Sequence, residues 1–264
     1  MTTYKTLAAK TLHMLPEQAQ DIVKQILYAN NRYRKASVQS PDLIWINPED
    51  IQYRTSRYFH IIEDKGKVIG GDWDKLESRF DKYDFYQATM QRFMHGIAWE
   101  ETEFYHRVLR GEEYGNWEQV KRRCRLWDNT YNSMKKNGYI AKKCQDHIAV
   151  NIGRHGDLLH NNGAHRLAIA KILKLPLIPV EITVRHKKWE AFRQEIAGYA
   201  DKVYSPLLHP DLVHFPSVHG HERWIMIEKS LDTRLKSVLD IGSHWGYFCH
   251  RFEELGYNLS LIHI

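Results

Sequence analysis

The sequence predicts a mixed α+β protein. Short apolar runs rich in strand formers, bounded by Gly, Pro or Asn, alternate with longer stretches whose apolar residues recur at steps of three and four. A chain of 264 residues with 43% hydrophobic and 12% aromatic residues has enough apolar surface to bury one large core or two small ones. Disorder throughout is excluded.

Taken in order, residues 1–40 read as a helical arm, with Pro16 opening a helix that carries Ile22, Val23, Ile26, Leu27 and Tyr33 along one side. Leu43–Ile46 is a strand that enters a new domain, and Asn47-Pro48-Glu49-Asp50 turns it into a short helix. Lys67–Trp73 reads as a strand stopped by Gly70 and Gly71. Residues 83–138 form a helical insertion: two helices broken near Gly96, then a longer one. In the longer one Trp117, Val120, Cys124, Trp127, Tyr131 and Met134 share a face, which makes Cys124 a buried spacer, and Asn137-Gly138 ends it. From His147 come a strand to Ile152, a turn, a short strand over Asp157–His160, a turn at Asn161-Asn162-Gly163, a helix over His165–Leu173 and a strand over Leu177–Val184. That domain is placed at 41–190. Residues 191–233 read as a linker and lead-in helix, with a proline-containing loop at 204–220, and 234–264 as strand, glycine turn, helix and second strand.

Composition removes several function classes. No apolar run approaches the roughly 20 residues that cross a bilayer, and the N-terminal residues lack the apolar stretch of a secretory signal. Cys124, Cys144 and Cys249 form no C-x-x-C pair, so neither a disulfide framework nor a thiolate zinc site is expected, and a cytoplasmic location fits best. Net charge is +6, with a local excess over Trp117–Asp146, where eight Lys or Arg face three acids. That segment could meet nucleic acid; the plainer reading is a solvated helix face, with Lys135 and Lys136 opposing the negative end of the helix dipole. The sixteen histidines include His155, His160 and His165 at steps of five, which is not metal-ligand spacing, and no metal is expected. In Trp99–Tyr105 the aromatics are expected inward and the glutamates in water.

The first chemical motif is Asn162-Gly163-Ala164-His165-Arg166. Glycine before a helix lets backbone amides approach an anion, the helix N-terminus adds positive potential, and Arg166 can fork two phosphate oxygens. His165 could bond a phosphate or act as an acid or base near neutral pH. By spacing alone, an ordinary glycine turn with a salt-bridged arginine is the plainer reading of the string. The order Leu43–Ile51, Val150–Gly153, Asn162–Ala170 and Ile178–Val180 resembles the ParB/sulfiredoxin superfamily over about 150 residues. The resemblance implies that Gly163, His165 and Arg166 bind phosphate, commonly of a nucleotide such as ATP or CTP. Many relatives carry Asp-Gly where this chain has Asn162-Gly163, and sulfiredoxin places its reactive cysteine where Ala164 stands, so sulfinic-acid reduction is not expected. Members that turn over phosphate need an acid nearby; Glu49 and Asp50 are the candidates, with a plainer role at a helix start.

The second motif, Val238-Leu239-Asp240-Ile241-Gly242-Ser243-His244-Trp245-Gly246, is an apolar strand ending in an acid and a glycine turn, the arrangement with which an α/β sheet receives a nucleotide-like ligand. It resembles motif I of class I S-adenosylmethionine-dependent methyltransferases, which implies cofactor contacts at Asp240, Gly242 and Gly246; His244 stands at the frequent middle glycine. Only 24 residues follow Asp240, where a doubly wound domain needs roughly 100 more. The expectation is therefore an incomplete Rossmann-like start, with Ser260–Ile264 resembling a translated adapter.

The leading expectation is thus a ParB-like phosphate- or nucleotide-binding module at the N-terminal side of a larger bacterial, archaeal or phage methyltransferase, this piece not methylating by itself and no catalytic residue being assignable. The alternatives are a nucleotide- or DNA-binding regulator, and a small-molecule kinase or nucleotidase on the same fold.

Overall fold

Two stretches of β-branched residues, Ile148–Ile152 and Ile178–His186, are buried along nearly their whole length and become neighbouring parallel strands at the centre of the larger sheet. Continuous burial is what a strand covered on both faces requires. The computed structural model describes residues 43–112, 117–141, 147–199, 201–232 and 234–262. The helical arm expected over 1–40, together with Lys142, Lys143 and Cys144, lies outside them. The described chain divides after Glu190 into two units. No helix among the described residues is long and apolar enough to cross a membrane.

In the first unit the strands are β1 (Ile44–Ile46), β2 (Tyr53–Arg54), β3 (Lys67–Ile69), β4 (Ser78–Arg79), β5 (Ile148–Ile152), β6 (Leu158–Asn162) and β7 (Ile178–His186), and the helices α1 (Asp84–His95), α2 (Glu103–Leu109), α3 (Trp117–Asn137) and α4 (Ala164–Ile172). The sheet runs β1-β7-β5-β6-β2-β4. Nine-residue β7 serves two partners in succession, β1 antiparallel at Ile178–Val180 and β3 parallel at Val184–His186. Helix α4 leaves β6 and leads to β7, burying Leu167 to Ile172, and α1 and α3 of the insertion pack against it.

The insertion is held by aromatic rings. Trp127 lies 4.6 Å from Phe85, 5.3 Å from Trp99 and 6.0 Å from Phe104. Asp128 accepts two bonds from the Arg92 guanidinium, at 3.1 and 2.9 Å, and one from the Trp99 indole at 3.0 Å, tying α3 to α1. Gly96 ends α1 in the left-handed region at φ +71°. Cys124 is buried, and burial, ahead of the Asp128 and Glu100 charges, pushes its thiol up to about 12. Trp99, Phe104 and Tyr105 point inward while Glu100, Glu101 and Glu103 stay toward water, as their alternation predicts.

Two readings differ from the observed elements. Strand β6 continues through Asn161 and Asn162, which the sequence assigns to a turn, because the Asn161 side chain completes the ladder. It accepts from the Phe59 amide at 3.0 Å and donates to the Phe59 carbonyl at 2.8 Å. The turn is left to Gly163. The short strands β2 and β4 carry too few residues to show a period and are invisible to pattern reading.

The second unit contains most of α5 (Lys187–Tyr199), then α6 (Glu222–Ser230), β8 (Ser237–Ile241), α7 (Tyr247–Glu254) and β9 (Asn258–Ile262). Within the stretch read as a linker and lead-in, Trp224 of α6 is buried with Tyr247, Phe252 and Tyr257. Strands β8 and β9 pair in parallel, from Ser237 opposite Asn258 to Ile241 opposite Ile262, with α7 as the crossover that parallel pairing demands.

Candidate functional site

Gly163 occupies the one-residue joint between β6 and α4. Its φ of +84° lies in the left-handed region, and a Cβ there would stand 3.0 Å from the Ile148 Cα and 3.3 Å from its Cγ1. Conformation and space therefore both demand glycine. The first helical bond runs from the Leu167 amide to the Gly163 carbonyl at 3.1 Å. The amides of the first turn thus lie at the positive end of the helix dipole.

That helix start opens into a cleft of about 980 Å³. Its floor is His160 to Asn162 with Ala164, His165 and Arg166. One wall carries Arg54, Tyr58 and Tyr83; helix α3 supplies Arg123, Leu126, Trp127 and Asn129 on another. Among the described residues three arginines line the cleft and no aspartate or glutamate does. The Arg54 guanidinium sits 4.0 Å over the Tyr83 ring, a contact that holds its charge without neutralising it.

The two histidines here are not cations. His165 stacks on Trp127 at 4.7 Å and meets the edge of Phe85 at 4.7 Å. Burial, followed by the Arg123 and Arg166 charges, lowers it to about 4. His160 is lowered to about 3, first by burial and then by Arg54 and His165. It is 6% exposed, and its Nε2 has no hydrogen-bond partner. Both imidazoles are neutral at pH 7, so His165 can hydrogen-bond an anion as a neutral donor while Arg54, Arg123 and Arg166 carry the charge.

The remaining predicted residues fall elsewhere. Glu49 follows the Asn47 cap, whose side chain accepts from the Glu49 amide at 3.0 Å, and pairs with Lys171 at 3.2 Å near the far end of α4. Asp50 is raised by burial, an effect opposed by a backbone bond from Asn47 and by the Lys171 charge. Neither lines the cleft. No group of three or more His, Cys, Asp or Glu among the described residues could hold a metal ion.

In the second unit Gly242 and Gly246 adopt φ of +74° and +77°, and His244, at the position where glycine is frequent in the resembling motif, adopts +52°. The turn keeps a glycine-like path with a histidine in it. Asp240 is not free at the strand end: the Cys249 thiol donates to its Oδ2 at 3.1 Å. Burial and then this carboxylate push the thiol up to about 11.

Arg54, His160, Arg123 and Trp127 complete the cleft and were not assigned to the motif. Arg123 and Trp127 lie within the basic segment and the periodic series of α3, and His160 within the histidine spacing; nothing in the sequence marks Arg54. No family model, curated protein or solved structure matches the chain.

Proposed function

We propose that the first unit is a nucleotide-binding module of ParB/sulfiredoxin-like character, with phosphate held at the start of α4. The observation that carries this reading is the cleft itself: three arginines and the amide end of a nine-residue helix converge on one cavity, with no carboxylate among the described residues of its lining. Helix-start amides and guanidinium forks are the groups that recognise phosphate oxygens. His160, buried in the lining with an unsatisfied Nε2, is a second polar group in want of a partner. The aromatic and apolar walls at Tyr58, Tyr83, Trp127 and Leu126 suit a base or ribose better than inorganic phosphate alone. In this reading Gly163 allows the close approach, Arg166 and Arg123 fork the phosphate, and neutral His165 orients it.

A second reading concerns the other unit. The parallel β8-α7-β9 arrangement, its left-handed turn and the exposed apolar Leu239 and Ile241 on the sheet face favour part of a methyltransferase-like α/β sheet. S-adenosylmethionine, if bound, would meet Gly242 and Gly246 and supply a methyl group to an acceptor; Asp240 would first have to release the Cys249 thiol. Phosphate turnover receives less support, because Glu49 is paired with Lys171 and neither it nor Asp50 lines the cleft.

Calorimetric titration of ATP, CTP and S-adenosylmethionine, each into the protein and into Arg166→Ala, tests the first reading. ATP or CTP is expected to bind, with affinity falling about 10-fold to 100-fold in the variant, the loss of one charged hydrogen-bonded pair. Equal nucleotide binding by both proteins, or none by either, removes the reading.

A further inference from the structure

One exposed row on α3 extends the cleft in both directions. Arg122, Leu126, Asn129, Ser133 and Lys136 follow steps of four, three, four and three, which places them in a line along the helix axis, and all five are exposed. The middle three line the cleft, whereas Arg122 and Lys136 lie beyond it at either end. At 1.5 Å per residue the row is about 21 Å long, more than a mononucleotide's phosphates occupy. Arg123 and Arg125 flank it, and Glu118 stands a turn before Arg122 at the helix start, where an acid complements the dipole. Dipole compensation accounts for Lys135 and Lys136; it does not account for Arg122, Arg123 and Arg125, which sit in the first half of the helix.

The row carries one exposed apolar side chain, and the cleft beside it an exposed aromatic ring. Leu126 and, across the cleft, Tyr58 are each 60% exposed. A positively charged track interleaved with exposed flat or apolar side chains matches the chemistry of an unpaired nucleic-acid strand, whose phosphates follow the charge and whose bases stack. Duplex DNA has its bases already stacked and would leave Tyr58 and Leu126 in water. The cavity stands at the upper end of the 300–1,000 Å³ range of small-molecule sites and is continuous with an open surface.

We infer that the cleft takes one nucleotide of a single-stranded oligonucleotide, with Arg122 and Lys136 of α3 holding the backbone on either side. This rests on the nucleotide reading above and narrows its ligand. One internal phosphate sits at the Gly163 turn, the adjoining bases meet Tyr58 and Leu126, and the strand continues along the α3 row in both directions.

The test compares ATP with a fluorescent 5′-phosphorylated octathymidylate, by calorimetry and anisotropy, over a series of salt concentrations, for the protein and for the double variant Arg122→Gln/Lys136→Gln. Both substituted side chains are exposed, and circular dichroism confirms that the variant is folded. The octamer is expected to bind at least about tenfold more tightly than ATP at low salt. The variant is expected to lose most of that gain while its ATP affinity is unchanged, and its plot of log K against log salt should flatten by about 1.4, for two phosphate contacts at about 0.7 each. An octamer no tighter than ATP, or a salt slope unaltered by the double substitution, overturns the inference while ATP binding leaves the nucleotide reading in place. Failure of both ligands to bind overturns both.

Discussion

Lowering the pH from 7 to 5 should destabilise the first unit through His165, and the size of the effect follows from where the ring lies. Between Trp127 and Phe85, and beside Arg123 and Arg166, the imidazole is lowered to about 4 from its ordinary 6.5. The unfolded chain therefore takes up the proton first. Stability from this group is intact above pH 6.5 and is lost as the pH falls from 6.5 toward 4. At pH 5 the folded ring is still neutral while the unfolded one is almost fully charged, a gap of 1.5 pH units from 6.5, or about 2 kcal/mol at 1.36 kcal/mol per unit. His165→Phe keeps the ring contacts and removes the titration. Urea unfolding followed by tryptophan fluorescence, for both proteins at pH 7 and pH 5, isolates the effect, because every other titrating group is present in both and His160, lowered to about 3 chiefly by burial, stays neutral in the folded state at both pH values. The stability of the unsubstituted protein should drop by about 2 kcal/mol more than that of the variant. Equal drops would refute the placement of a neutral His165 in the cleft.

Two further substitutions test the frame around the site. Gly163→Ala should cost about 2–4 kcal/mol, since a left-handed alanine loses about 1–2 and its Cβ, 3.0 Å from the Ile148 backbone, forces α4 and β5 apart; a change below about 0.5 kcal/mol in urea unfolding would contradict it. Asp74 is buried, which alone would raise its carboxyl, yet bonds from the Arg154 guanidinium and amide hold it down at about 2. Asp74→Asn should therefore cost about 2 kcal/mol at neutral pH. That contribution is present above pH 3.8 and lost as the pH falls through about 2, so acid unfolding curves of the two proteins should converge there.

Much of the fold is legible from local pattern. The steps of three and four that bury Val120, Cys124, Trp127 and Met134 are visible as written, as are the apolar run behind β1 and the glycine stop after α1. Strands β2 and β4 are not, because a two-residue strand is made by its partner and carries no period of its own. Asn161 reads as a turn residue and acts as a strand residue for a tertiary reason, its bonds to Phe59 a hundred positions away. The candidate site divides in the same way. Gly163, His165 and Arg166 form one contiguous string and show themselves; Arg54 and Arg123 join them only through the sheet order and the packing of α3 against α4. The acids chosen by proximity to a strand end, Glu49 and Asp50, were a chemical requirement of one function rather than a spatial neighbour of the glycine turn, and Lys171 accounts for Glu49.

In the proposed function the first turn of α4 holds a phosphate. Amide proton and nitrogen resonances of Gly163, Ala164, His165 and Arg166 report on that turn directly, and titrating ATP against adenosine separates the phosphate from the base. The account predicts saturable shifts at these four amides with ATP, absent or much smaller with adenosine and lost in Arg166→Ala. Shifts of the same size with both ligands, or ATP-dependent shifts confined to other residues, would contradict it.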